Sequence, residues 1–381
     1  MDASTMPGQR SPLDESSHRP STITSSPYDI LCCMPIFKAV DSHKKLISRW
    51  YTIKVEADCP LKVDSEDSEE IFPFWEGELP NCSSFAAIAP DLYCFGGKRH
   101  FHPDRNPSVS AYACKLDVTR SSTEWIPVMP MKYPRLDAHV FAVDGKFHVL
   151  AGDMTNSCSN GLELEVFDPL TQKWEEVPDD PPLPVQSKFI SAALENPNRI
   201  LVATKTAQCR RFSRTFMSTF YAYDVRRRSW EKHAERKVDA RCPLGYSGRA
   251  VAAVGDTLYW LTDATMLLSY NLAQDLWLKG SLKGVGISFL DKYDDPYKPG
   301  FVHLENQMFC VLQCALSSSE LECVTVHVEP TSRKKLVISV VAIRKYVTEL
   351  PTSVSKCLSL GKHEVQISEE ASQARIKQKK Y

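Results

Sequence analysis

The sequence predicts an all-β chain folded as a six-bladed propeller of four-stranded antiparallel blades, closed by strands from its two ends. Three observations carry this expectation. Residues 164–177 alternate apolar and polar, turn at Asp168-Pro169 and alternate again after Trp174, as a β-hairpin does. That hairpin recurs. Phe167-Asp168 precedes Trp174, Tyr223-Asp224 precedes Trp230 and Tyr270-Asn271 precedes Trp277, each aromatic standing seven residues ahead of its Trp. Leu116-Asp117 stands ahead of Trp125 at nine. Finally, Trp125, Trp174, Trp230 and Trp277 are separated by 49, 56 and 47 residues, and a β-rich period near fifty is that of a propeller blade.

The elements follow in order. Residues 1–27 are rich in Ser, Thr, Pro and charge and lack an apolar period, so a disordered tail is expected. Residues 28–56 read as a partial blade with strands at 29–33, 36–40 and 50–55. There Val40-Asp41 ahead of Trp50 echoes Leu116-Asp117 ahead of Trp125. Its innermost strand is missing, and 355–360 is the candidate to supply it. Closure of this kind removes two exposed sheet edges. Residues 64–70 read as an acidic, solvated linker.

Full blades are expected at 84–129, 138–178, 189–232, 248–280 and 301–342, so the propeller occupies 28–360. Leu92-Tyr93-Cys94-Phe95 runs into Gly96-Gly97, and Phe147-His148-Val149-Leu150 into Ala151-Gly152 after a turn at Asp144-Gly145. Without a Cβ, such a pair lets the backbone bend sharply against a neighbour. Ala203-Thr204 and Thr262-Asp263 occupy this place in the next two units, and the last blade lacks the Trp, with 336–340 as its outer strand. The tryptophans are expected to anchor blade against blade. Residues 361–381 form a charged tail. Its Arg375, Lys377, Lys379 and Lys380 read as a frayed basic end, with a nuclear signal as the second reading.

A diglycine after an apolar strand, then an aromatic-Asp pair, then Trp, resembles the kelch repeat, the blade type that galactose oxidase shares. The propeller is similar to that of plant F-box/kelch proteins, although no F-box pattern precedes Tyr28. The resemblance implies a protein-binding scaffold. It also implies two alternatives: substrate recognition for a ubiquitin ligase, and a metal-dependent enzyme.

Composition and motifs narrow the choice. Lys and Arg number 46 against 47 Asp and Glu, which argues against a general nucleic-acid coat or a membrane-attracted surface. No N-terminal apolar run reads as a signal peptide, and none is long enough to span a bilayer. Thirteen scattered cysteines read as free thiols in a reducing compartment, so the protein is expected in the cytoplasm, with the nucleus as the alternative. His100-x-His102 with Asp104 is the best metal-like cluster, but lacks a distant ligand. The iron motif of plant specifier proteins, Glu-x3-Asp-x3-His, fails at Pro243 after Glu235 and Asp239. Cys310-x3-Cys314 has no second pair and fits strand packing. P-loop, GxGxxG and GxSxG motifs are absent. No catalytic residue, cofactor or metal is expected.

What remains is a surface. In a four-stranded antiparallel blade, the connection between the second and third strands and the connection leaving the blade share one face. Two long loops are expected there. Residues 98–108 carry Lys98, Arg99 and Arg105; residues 204–217 carry Lys205, Arg210, Arg211 and Arg214, with Phe212 and Phe216 as apolar anchors. Blade-to-blade connections add Arg135, Lys188 and Arg249. Long loops on a rigid scaffold commonly carry binding, so this set is the candidate site for a partner acidic on its contact surface.

Overall fold

A computed structural model describes residues 28–40, 43–55, 68–99, 108–119, 124–150, 164–177, 189–194, 198–210, 213–238, 252–261, 266–282, 299–314, 319–331, 335–349 and 354–362. The two tails and the acidic residues 64–67 lie outside them. Every regular element among the described residues is a strand, and the strands form six antiparallel blades around an axis. From the axis outward, blade one is Lys356–Lys362, Tyr28–Val40, His43–Val55 and Trp75–Gly77. Blade two is Ser84–Ile88, Asp91–Phe95, Ala113–Asp117 and Ile126–Pro127. Blade three is His139–Val143, Lys146–Leu150, Leu164–Asp168 and Lys173–Glu176. Blade four is Phe189–Leu194, Arg199–Arg210, Ser213–Asp224 and Ser229–Val238. Blade five is Ala252–Val254, Thr257–Leu261, Met266–Asn271 and Leu276–Ser281. Blade six is Gly300–Glu305, Met308–Cys314, Glu320–Pro330 and Leu336–Val347.

The seven-residue spacing has a structural cause. Phe167, Tyr223 and Tyr270 stand directly opposite Trp174, Trp230 and Trp277 across the outer hairpins. The polar residue after each aromatic holds the turn. Asp168 Oδ1 accepts from Leu170 N at 2.9 Å, Asp224 Oδ1 from Arg227 N at 2.9 Å, and Asn271 Oδ1 from Gln274 N at 2.8 Å, as Asx turns do. Gln172, Arg228 and Asp275, each two residues before a Trp, adopt positive φ of 55°, 55° and 51°. This left-handed residue closes the turn, so ring faces ring: Tyr270 stacks on Trp277 at 4.4 Å and Phe167 meets Trp174 at 4.9 Å.

The apolar core divides into six clusters, one between each pair of neighbouring blades. Aromatic pairs cross these seams: Tyr93 to Phe147 at 4.5 Å, Phe220 to Tyr270 at 5.5 Å, Tyr259 to Phe309 at 5.0 Å. The anchoring tryptophans divide by depth. Trp50 and Trp260 are fully buried, whereas Trp174, Trp230 and Trp277 are half-buried. Trp174 still joins two blades, because its indole N–H donates to the Met129 carbonyl at 2.8 Å.

Gly96 shows what the diglycine does. It sits at φ +69°, and a Cβ there would overlap the carbonyl oxygen of Arg135 on the chain passing to blade three. That carbonyl accepts from Gly97 N at 2.8 Å.

Blade one differs from its expected layout. Tyr28–Val40 is one continuous strand through Pro35, hydrogen-bonded along its length to His43–Val55. Trp50 therefore faces Cys33 and Trp75 and lies on the third strand, so its echo of the Trp125 motif is one of sequence alone. Trp75 takes the outer-strand position and meets Trp125 edge-on at 5.8 Å across the seam with blade two. The innermost strand comes from Lys356–Lys362, which overlaps the expected 355–360 and sets Cys357 opposite Cys32. Glu69–Glu70, read as solvated linker, adds a short parallel strand to the outer edge of blade six.

Candidate interaction face

The innermost strands of the six blades ring the axis, and those of five blades, with Leu261 of blade five, line a central cavity of about 520 Å³. Each of these strands starts on the face that also carries the connections between second and third strands, a consequence of the antiparallel order. The strand starts bring polar groups together. His139 Nδ1 hydrogen-bonds Ser191 Oγ, and Lys356 Nζ lies 3.9 Å from Asp137 Oδ1. Burial, together with the Lys356 charge, pushes His139 down to about 4, so its imidazole is neutral at pH 7.

Two hairpins stand out on this face. In blade four the described inner strand pairs as far as Phe189 with Thr204, and the second and third strands stay paired to Arg210 and Ser213. That is six further residues, roughly 20 Å at ~3.3 Å per residue. In blade one the inner strand pairs as far as Cys33, and the hairpin runs on to Val40 and His43. Ion pairs brace its base: Arg49, itself buried, binds Glu76 at 2.6 Å and Glu349 of blade six at 3.1 Å, and Lys38 also reaches Glu76.

The expected loop at 204–217 is therefore a β-hairpin, with only residues 211–212 outside the described strands. Its polar run suggested a loop, but the backbone groups satisfy one another across the ladder, which needs no apolar face. The smaller connection in blade two also starts as a hairpin, Lys98–Arg99 pairing with Ser108–Val109.

The individual candidates fall out as follows. Lys98 is half-buried and its backbone exchanges hydrogen bonds with Asn81 at 2.7 and 2.9 Å. Arg99 pairs through its backbone with Ser108. Lys205, Arg210, Arg214 and Phe216 lie in the extended hairpin, opposite Ser218, Ser213, Cys209 and Ala207. Arg105, Lys188, Arg211, Phe212 and Arg249 lie outside the described residues, as do His100, His102, Asp104, Asp239 and Pro243.

Arg135 requires a correction. It is buried, and its Nη2 donates to Glu165 Oε1 at 2.6 Å. Glu165 also accepts from Lys132 N at 2.7 Å. Arg135 thus fastens the connection between blades two and three to the body of blade three, and is not offered to a partner. The residues that sequence reasoning missed are Asp137, His139, Ser191 and Lys356. Each sits at or near the start of an inner strand, and only the ring of six blades brings them together.

Among the described residues no group of three or more His, Cys, Asp or Glu is placed to hold a metal. Cys310 and Cys314 are both buried in the second strand of blade six.

The fold is a six-bladed β-propeller, and its repeat resembles the kelch repeat. Three F-box/kelch-repeat proteins of Arabidopsis thaliana resemble the chain. One is 30% identical over 131 residues, 34% of this chain and 32% of the relative. The second is 32% identical over 105 residues, 26% and 24% of the respective chains. The third is 27% identical over 153 residues, 38% and 35%. The matches thus span about a quarter to a third of the length of these relatives. No family model matches the chain. Among solved structures, that of YjhT covers 68% of this chain and 98% of its own, with a TM-score of 0.40 and 10% identity.

Proposed function

We propose that the protein is a non-catalytic interaction scaffold that seats a partner, acidic on its contact surface, on the face bearing the two extended hairpins. The observation that carries this reading is their shared placement. Blades one and four carry their central strands well past the described part of the inner strand, on the side where the axial cavity collects its polar residues. A long ribbon of this kind exposes edge backbone and side chains to a partner, and the rigid blades beneath hold it in place. Lys98, Arg99, Arg105, Lys188, Lys205, Arg210, Arg211, Arg214 and Arg249 supply the charge, with Phe212 and Phe216 as anchors. The names of the Arabidopsis relatives support a narrower second reading: recognition of a substrate for a ubiquitin ligase. We place the protein in the cytoplasm or nucleus, which a fluorescent fusion in plant cells would test.

Affinity purification with mass spectrometry names the partner. The triple change Arg210→Glu, Arg211→Glu and Arg214→Glu should then abolish its capture and leave the melting curve nearly unmoved, the result expected of charges that serve binding and not the fold. Arg226→Glu with Arg227→Glu, in the exposed turn on the opposite face, should leave capture intact. Loss with the second pair and survival of the first would place the partner on the other face.

A further inference from the structure

We propose that Cys357 is a thiol-oxidation site with Cys32 as its partner, the two forming a disulfide that pins the closing strand to the ring. The two residues stand directly opposite each other in the register that closes the propeller. Opposed residues share a sheet face with Cβ atoms about 4.5–5.5 Å apart, a small movement from the roughly 3.5–4.5 Å of a disulfide. The two thiols are close enough for Cys357 to raise the cost of ionising Cys32. Cys32 is fully buried at the seam between blades six and one, while Cys357 is half-buried and lines the axial cavity. Space is kept for that sulfur. A Cβ on Gly300, on the neighbouring inner strand, would overlap Cys357 Sγ.

The other thiols at this seam are less available. Cys310, Cys314 and Cys323 pack into the same buried cluster. Cys310 and Cys323 hold their sulfurs 3.2 Å apart, and burial pushes Cys314 up to about 12. Burial raises the Cys32 thiol too, and thiols kept protonated in this way are slow to attack an oxidant, so the first step falls to Cys357 and Cys32 acts only afterwards, on the sulfur beside it. Among the described cysteines of the cluster, Cys357 is the one that reaches the cavity, so an oxidant entering along the axis meets it first.

The oxidant is a peroxide small enough to enter. The Cys357 thiolate attacks one peroxide oxygen and the O–O bond breaks. Cys357 becomes a sulfenic acid, and the second oxygen leaves, protonated, as water or an alcohol. The Cys32 sulfur then attacks the Cys357 sulfur; the S–S bond forms, the S–O bond breaks, and water departs with the thiol proton. Two sulfurs have each given one electron to the peroxide, and a dithiol reductant restores both thiols. The cross-link spans more than 320 residues of chain, as does the neighbouring hydrogen bond from Ser355 to Cys33.

The test uses the full chain, reduced, freed of reductant and exposed to hydrogen peroxide. Non-reducing peptide mapping should show a Cys32–Cys357 cross-linked peptide. The melting temperature should rise by about 5–10 °C, from the size of the loop closed, and dithiothreitol should reverse both changes. In Cys32→Ser, Cys357 should stop at the sulfenic acid, trapped by dimedone, with no rise in melting temperature. Cys310→Ser should keep both responses. The proposal fails if peroxide on the wild-type chain modifies only exposed thiols such as Cys82, or joins Cys310 to Cys323, while Cys32 and Cys357 remain open to alkylation. Because that readout comes from the wild type, a poorly folding variant does not obscure it.

Discussion

The Arg135 guanidinium and the Glu165 carboxylate meet at 2.6 Å with side-chain exposures of 3% and 4%. Two opposite charges withdrawn so completely from water are stable only as a pair. This one also takes the Lys132 amide as a third party, fixing the chain that leaves blade two against the third strand of blade three.

Removing one partner should therefore cost far more than a surface ion pair. Glu165→Ala leaves the Arg135 charge buried and unmatched, and should lower stability by about 3–5 kcal/mol. Glu175→Ala removes a half-exposed partner of Lys146 and Arg228 and should cost about 1 kcal/mol. Urea melts of the two variants, read by tryptophan fluorescence, make the comparison. Equal losses would mean that the buried pair is not the fastening.

Burial should also rank the tryptophans. Trp260 is fully enclosed between blades four and five and meets Trp277 edge-on at 5.7 Å. Trp260→Ala should cost about 3–5 kcal/mol. Trp174→Ala, at a half-buried site, should cost less, losing one hydrogen bond and the face of Phe167. The same melts would show the order.

Acid should weaken the fold before its carboxylates titrate. Burial holds His148 down to about 4, the largest influence on it, outweighing its contact with the Lys146 backbone. The unfolded chain binds that proton near 6.5. Between these values the unfolded state binds more protons, so stability is full above about pH 6.5 and falls as pH drops toward 4. The loss from His148 should reach roughly 2 kcal/mol between pH 7 and pH 5. His139, held down to about 4 as well, acts in the same sense. Melting curves of wild type and His148→Gln across this range should show a shallower pH slope in the variant.

The closing strand should be indispensable. A chain ending at residue 353 leaves the inner edge of Tyr28–Val40 bare, and an unpaired edge invites association with another chain. Size-exclusion chromatography should show aggregates where the longer chain elutes as one species. A soluble monomer of unchanged melting temperature would mean that the pairing of Cys32 with Cys357 contributes little.

The blades were legible wherever a residue's partner is close in sequence. Phe167 and Trp174, or Tyr270 and Trp277, face each other across a short turn, so their spacing encodes their register. The closing strand was legible because blade one lacked an inner edge. Trp75 was not, since Trp50 offered a nearer, though false, echo. The hairpin beyond Thr204 was missed because it runs past the packed blades, where no apolar alternation is required. Buried Arg135 looked like a free charge because its partner is 30 residues away. The cavity residues Asp137, His139, Ser191 and Lys356 come from different blades, and no local pattern joins them.

The composite first blade also sets a schedule for synthesis. Ser355 reaches back 322 residues to the Cys33 carbonyl, so blades two to five can be translated, and their hairpins folded, long before the ring can shut. Until Lys356–Lys362 leaves the ribosome, the earliest strands wait with one edge unfilled. At about 5–20 residues per second, translation imposes a delay of tens of seconds. Throughout that interval the inner edge of Tyr28–Val40 stays open to pairing with another chain, and only the last strand made can cover it.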